Sequence, residues 1–168
     1  MDKLSENERV TMLEPNIRDR LAIVSFYIKD AHYNLVVRLL NDKFGIQTRG
    51  GCSCAGTYGH ILLNVDEDTS SKITQQIDLG DFAGKPGWIR ASFHPTMTDK
   101  EVAFVVNAIN QVAENIELWS KEYRFDPACG DFSHANLNVT YPSLDNFSAL
   151  NDKSVTVKTP SFIKKMFG

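Results

Sequence analysis

The sequence predicts a two-layer α+β domain, and three observations carry that reading. The run Leu21 to Ile28 is dense in β-branched and aromatic side chains, which suits a strand with a buried face. Trp88 to His94 alternates in the manner of a second strand and ends where Pro95 cannot donate a ladder hydrogen bond. Two longer segments, Ala31 to Phe44 and the stretch after Thr98, repeat apolar residues at helical spacing. Each such helix has one apolar face. Both are therefore expected to cover one face of a small, mainly antiparallel sheet made of Leu21–Ile28, Ile46–Arg49 and Trp88–His94.

In chain order, residues 1–20 form a lead-in, with a short strand from Val10 to Leu13 closed by the loop Glu14-Pro15-Asn16. Asp30 is placed to cap the first helix, Leu35, Val36, Leu39 and Leu40 mark its apolar face, and Gly45 supplies a left-handed stop. After the strand Ile46–Arg49 comes Gly50-Gly51-Cys52-Ser53-Cys54-Ala55-Gly56, too glycine-rich to hold regular structure easily. Thr98 caps the second helix and forms a capping box with Glu101, and Val102, Val105, Ile109, Val112, Ile116 and Trp119 lie along its buried side. The domain so defined spans residues 21–121. Past Lys121 no period persists, so residues 122–168 are expected to be an irregular C-terminal extension packing on the domain.

Composition narrows the function classes. A net charge of -3 over 168 residues offers no electrostatic footing for nucleic acid or an anionic membrane surface. No apolar stretch approaches the roughly 20 residues of a membrane span, and the N-terminus lacks a signal-peptide core, so a cytoplasmic protein is expected. Three cysteines make an odd count in a chain long enough to build its own core, which points to reduced thiols. In that compartment Asn138-Val139-Thr140 and Asn146-Phe147-Ser148 are chance sequons.

Three features are candidates for chemistry. In Arg49-Gly50-Gly51-Cys52-Ser53-Cys54, glycines admit a ligand close to the backbone, and the adjacent arginine is placed to lower a thiol pKa. Two other readings of the loop stay open: Cys52 and Cys54 as small buried hydrophobes, and a metal site, for which Cys-x-Cys alone is thin evidence. Arg90 sits between apolar strand neighbours and is either a bidentate anchor for an amino-acid carboxylate or half of a structural ion pair. His32, His60, His94 and His134 are scattered without zinc-motif spacing, and no metal ligands are assigned. Gly80-Asp81-Phe82-Ala83-Gly84-Lys85-Pro86 has the wrong spacing for a phosphate loop, with proline where Ser or Thr belongs.

The combination and order of these features resemble a known family. Leu39 to Ala55 is similar to the small domain of class V aminotransferase-like enzymes, which include cysteine desulfurases and selenocysteine lyases. There a helix and short strand lead to Arg-x-Gly-x-x-Cys-Ala, matched here by Arg49, Gly51, Cys54 and Ala55. Downstream, Arg-x-Ser before a capped helix is matched by Arg90-Ala91-Ser92 and Thr98. The resemblance covers about residues 10 to 120 and implies the C-terminal small domain of a fold-type I pyridoxal 5'-phosphate enzyme. It implies that Cys54 accepts sulfur as a persulfide, and that Arg90 and Arg49 bind a cysteine-like amino acid, Arg90 by its carboxylate. Cys52 and Ser53 stand where desulfurases commonly carry histidine before the cysteine. The Schiff-base lysine of the family lies in a large domain, so the resemblance implies that domain and a second subunit as partners, and an inactive chain without them, binding neither pyridoxal phosphate nor zinc. The reading from another class is a self-contained, non-enzymatic thiol protein carrying sulfur or metal through Cys52 and Cys54.

Overall fold

The computed structural model describes residues 1–52 and 56–136, the side chains of Gly56 and Thr57 apart. Its elements are α1 (Asp2–Ser5), β1 (Val10–Met12), β2 (Ile23–Ile28), α2 (Tyr33–Phe44), β3 (Arg49–Gly51) and α3 (Gly56–Leu62). They continue with α4 (Glu67–Asp78), β4 (Trp88–Ser92), α5 (Asp99–Trp119), β5 (Tyr123–Asp126) and β6 (Asp131–His134). The main sheet has the order β1-β2-β4-β3 with every pair antiparallel. It is the α+β arrangement that the sequence predicts.

Alternation sorts the sheet into two faces. Val10, Met12, Val24, Phe26, Ile28, Ile89 and Ala91 point to one side, in register across the ladders, and all are buried. On that side Val36, Leu39 and Leu40 of α2 meet Val105, Ile109, Val112 and Ile116 of α5, so sheet and long helices share one core. Thr11, Ile23, Ser25, Tyr27, Arg49, Trp88 and Arg90 occupy the opposite face. There α3 covers Trp88, with the Gly59 backbone against its ring.

Several local expectations need correction. Asp30 does not cap α2: its φ of 59° places it in a left-handed turn, and the His32 ring instead accepts from the Asn34 N–H. Gly45 does end the helix at φ 68°, and Thr98 with Glu101 does form the capping box of α5. The third strand is Arg49–Gly51 rather than Ile46–Arg49. Gly50 makes that shift possible, because a Cβ there would stand 2.8 Å from Tyr33 Cδ2 and 3.0 Å from Val37 Cγ2. Only a residue without a side chain lets β3 run this close to α2.

Residues 123–134, expected to be irregular, form the hairpin β5–β6. Its aromatic pair Phe125 and Phe132 flanks the His32 ring, with centroids 5.4 Å from it in both cases. Polar side chains of α2 fasten the rest. Asn34 Nδ2 donates to the Gly130 carbonyl at 2.6 Å, Arg38 Nε to the Phe132 carbonyl at 2.9 Å, and the Tyr123 hydroxyl to Asp42 at 3.0 Å. No helix among the described residues is long and apolar enough to cross a membrane.

Core and surface should respond very differently to truncation. Phe26 is fully enclosed, so Phe26→Ala is expected to cost about 3–5 kcal/mol in urea denaturation. Leu118, 61% exposed, should change stability by less than about 0.5 kcal/mol when cut to alanine.

Candidate functional site

The antiparallel register sets Arg49 of β3 directly opposite Arg90 of β4. Opposed residues share a sheet face, so both arginine side chains leave the sheet on the face away from the long helices. Like charges so placed repel, and the usual remedy is a carboxylate between them. Neither arginine has an Asp or Glu within 4.0 Å among the described residues. The ladder partner of Arg90 on β2 is Ser25, small and neutral. Arg90 is half-buried, and its Nε is enclosed without a hydrogen-bond partner among the described residues. A buried, unmatched donor on a cation is costly unless something outside this set accepts from it. An anion at this face would offset both the repulsion and the unmatched donor.

Arg49 also lines a cavity of about 440 Å³ beside this face. Tyr33 and Asn34, at the start of α2, form one wall, and Gly50, Gly51 and Cys52 form the next. Phe82 and Lys85 close it from the loop before β4, and Cys129 with Gly130 from the turn of the hairpin. Sequence reading misses Tyr33, Asn34, Lys85 and Cys129. Asn34 leaves a faint signal, a polar residue in the first turn of an otherwise apolar-faced helix. Cys129 leaves none, since only the hairpin carries it to the cavity.

Cys52 departs from the expectation of an activated thiol. Its Sγ donates to the Pro86 carbonyl at 3.0 Å, and burial pushes its pKa up, with the Lys85 ammonium offsetting only part of the effect. The Arg49 charge does not reverse that. At neutral pH Cys52 is a hydrogen-bonding thiol rather than a nucleophile. Burial also raises the pKa of Tyr33, and the neighbouring Cys52 adds to it. Cys54 lies outside the described residues. Among the described residues no cluster of three His, Cys, Asp or Glu side chains is arranged to hold a metal ion.

His32 is held between Tyr33, Phe125 and Phe132, and its Nε2 is buried with no hydrogen-bond partner among the described residues. Burial lowers its pKa, and the Phe82 backbone offsets this in part by favouring the cation. The described residues do not fit pyridoxal phosphate. Lys85 lines the cavity, but its ammonium lies 5.3 Å over the Phe82 ring, and no carboxylate among the described lining residues could pair with a pyridine nitrogen.

Comparison with protein families finds that residues 1–105 match the family described as Aminotransferase class-V. No curated protein matches the chain. The family match ends within α5 and leaves out the β5–β6 hairpin.

Two titrations test these environments. Iodoacetamide should label exposed Cys129 readily at pH 7 while native Cys52 reacts slowly, its rate climbing only above the usual thiol range. For His32 the folded pKa is depressed, so its contribution to stability is present above the ordinary value of 6.5 and is lost as pH falls through the folded value. Denaturation midpoints measured from pH 7.5 down to about 5 should therefore decline more in the native sequence than in His32→Gln.

Proposed function

The chain belongs to the class V aminotransferase family, and on that premise we propose that it is the C-terminal small domain of a pyridoxal-phosphate enzyme acting on an amino acid. The observation that carries this reading is Arg90, set opposite Arg49 without a carboxylate partner among the described residues and with a buried Nε in want of an acceptor. A substrate carboxylate supplies both missing items. Its two oxygens accept from the planar guanidinium fork, and its charge relieves the repulsion between the arginines.

The cofactor supplies the electron sink for bond breaking at the substrate α-carbon. It is held by a large domain bearing the Schiff-base lysine, and a second subunit completes a cytoplasmic homodimer. In this division of labour the small domain fixes the carboxylate, and so the direction from which the substrate meets the cofactor. The resemblance of the loop further supports a desulfurase or selenocysteine lyase chemistry, in which Cys54 takes up sulfur from a cysteine-like substrate as a persulfide. The raised pKa of Cys52 argues against that neighbour as the acceptor, and equally against a thiol protein that holds metal through Cys52.

In the complete enzyme, Arg90→Ala should remove about 2–5 kcal/mol of transition-state stabilisation, read from kcat/KM, while Arg90→Lys recovers only part of it. Thermal melting of the 168-residue chain should change little with either substitution. A large loss of melting temperature with unchanged kinetics would make Arg90 a structural residue instead. Cys54→Ser should abolish sulfur release and spare substrate binding if the persulfide assignment holds.

A further inference from the structure

Helix α2 opens on a side chain that loses its capping ability when it gains a proton. Its N-cap is His32, whose Nδ1 accepts from the Asn34 N–H at 3.2 Å. An imidazole nitrogen that accepts carries no hydrogen, so the neutral ring keeps its own on Nε2. Protonation then falls on Nδ1, and the imidazolium, with two N–H donors and no free lone pair, cannot cap. A cation at this place also meets the positive end of the α2 dipole. The ionisable groups around the ring offer little to hold that cation. Lys29, Asp30, Tyr27, Tyr33 and Lys85 line a cavity of about 420 Å³ together with His32, one acid against two ammonium groups. The hairpin face that packs on the ring carries Tyr123 and His134 beside the two phenylalanines, and His134 lies 3.6 Å from Glu122. Arg124, Asp126 and Asp131 alternate onto the other face of the hairpin. Along α2 the next charge is Arg38, paired with Asp131, and in the loop before β4 Asp81 is bound to the Ala83 N–H.

We propose that His32 is a proton-operated latch: a proton taken up from solvent at Nδ1 frees the first turn of α2 and, through Asn34, the β5–β6 turn that walls the 440 Å³ cavity. Asn34 couples the two events. Its backbone N–H is the group that His32 accepts from, and its side chain donates to the Gly130 carbonyl at 2.6 Å. The Phe82 N–H holds the same turn from its other side, on the Pro127 carbonyl at 3.0 Å. Asn34, Phe82 and Gly130 all line the cavity, so a change at the cap reaches its wall. Burial lowers the pKa of His32 from 6.5, which places the transition on the acid side of the ordinary histidine range. The latch is shut at neutral pH and opens as pH falls through the folded value. The inference is independent of what Arg90 binds.

The test is amide hydrogen exchange of the 168-residue chain, read by NMR as protection relative to the unfolded rate at each pH, from about pH 7.5 down to about pH 4.5. Ring-nitrogen shifts in the same samples follow the protonation of Nδ1. Protection of the Asn34 and Phe82 amides is expected to fall about two- to thirtyfold in step with that protonation, the range for losing one N-cap. Val112, in the core of α5, should hold constant. His32→Asn caps without titrating and should keep both amides protected across the range. Asn34→Ala should retain the response at residue 34 and abolish it at Phe82. A ring that stays neutral until the chain unfolds, protection at Asn34 unmoved by protonation, or an equal loss in His32→Asn would each overturn the proposal, and a Phe82 response that survives Asn34→Ala would overturn the coupling. If His32→Asn does not fold, the native chain decides: a loss confined to the start of α2 and Phe82 supports the latch, and a loss shared with Val112 refutes it.

Discussion

Strand β3 can lie against helix α2 only because residue 50 carries no side chain. The Tyr33 ring and Val37 occupy the space that a Cβ would need, so the approach is set by contact. From that approach the rest of the site follows. It brings β3 alongside β4 in the register that opposes Arg49 to Arg90, and it turns Gly51 and Cys52 toward the start of α2. Buried apolar area under Phe26, Ile89 and Ile109 holds the sheet to its helices, but it would do so equally well with β3 one residue out of step. The glycine contact removes that freedom.

The two arginines show how a sheet can store function at little cost to its core. In β4 Ile89 and Ala91 point toward the helices, and the opposite face carries Arg90 beside Trp88. Placing like charges opposite one another works against folding. The arrangement persists because the apolar side of the same strands supplies stability independently. Cys52 illustrates the converse. A half-buried thiol beside a carbonyl acceptor serves packing and hydrogen bonding, and the charge near it is too weakly coupled to overcome desolvation.

The fold was largely legible in the sequence where one physical signal dominated. The apolar stripe of α5 and its Thr98–Glu101 box, the stop at Gly45 and the alternation of β4 each have a single local cause. Elements whose cause is tertiary escaped. The helix α4 buries none of its residues, so no apolar stripe announces it, and β5–β6 are fastened by side chains of α2 that lie some ninety residues away in sequence. The same division holds in the site. Arg49 and Arg90 could be named from local pattern, whereas their opposition depends on strand register. The gathering of Lys85, Asn34 and Cys129 around one cavity depends on loops that only the folded chain brings together.

The β5–β6 hairpin is anchored unevenly. At its base Tyr123 is part of the core, and Phe132, one pair short of the turn-closing pair, packs against that core. The turn at the far end is clasped by Asn34 on the Gly130 carbonyl and by the Phe82 N–H on the Pro127 carbonyl. The strands are thus held by apolar packing, and the turn by hydrogen bonds from α2 and from the loop before β4. That turn carries the outer wall of the cationic cavity, so the two hydrogen bonds that clasp it also fix the boundary of the chamber behind it.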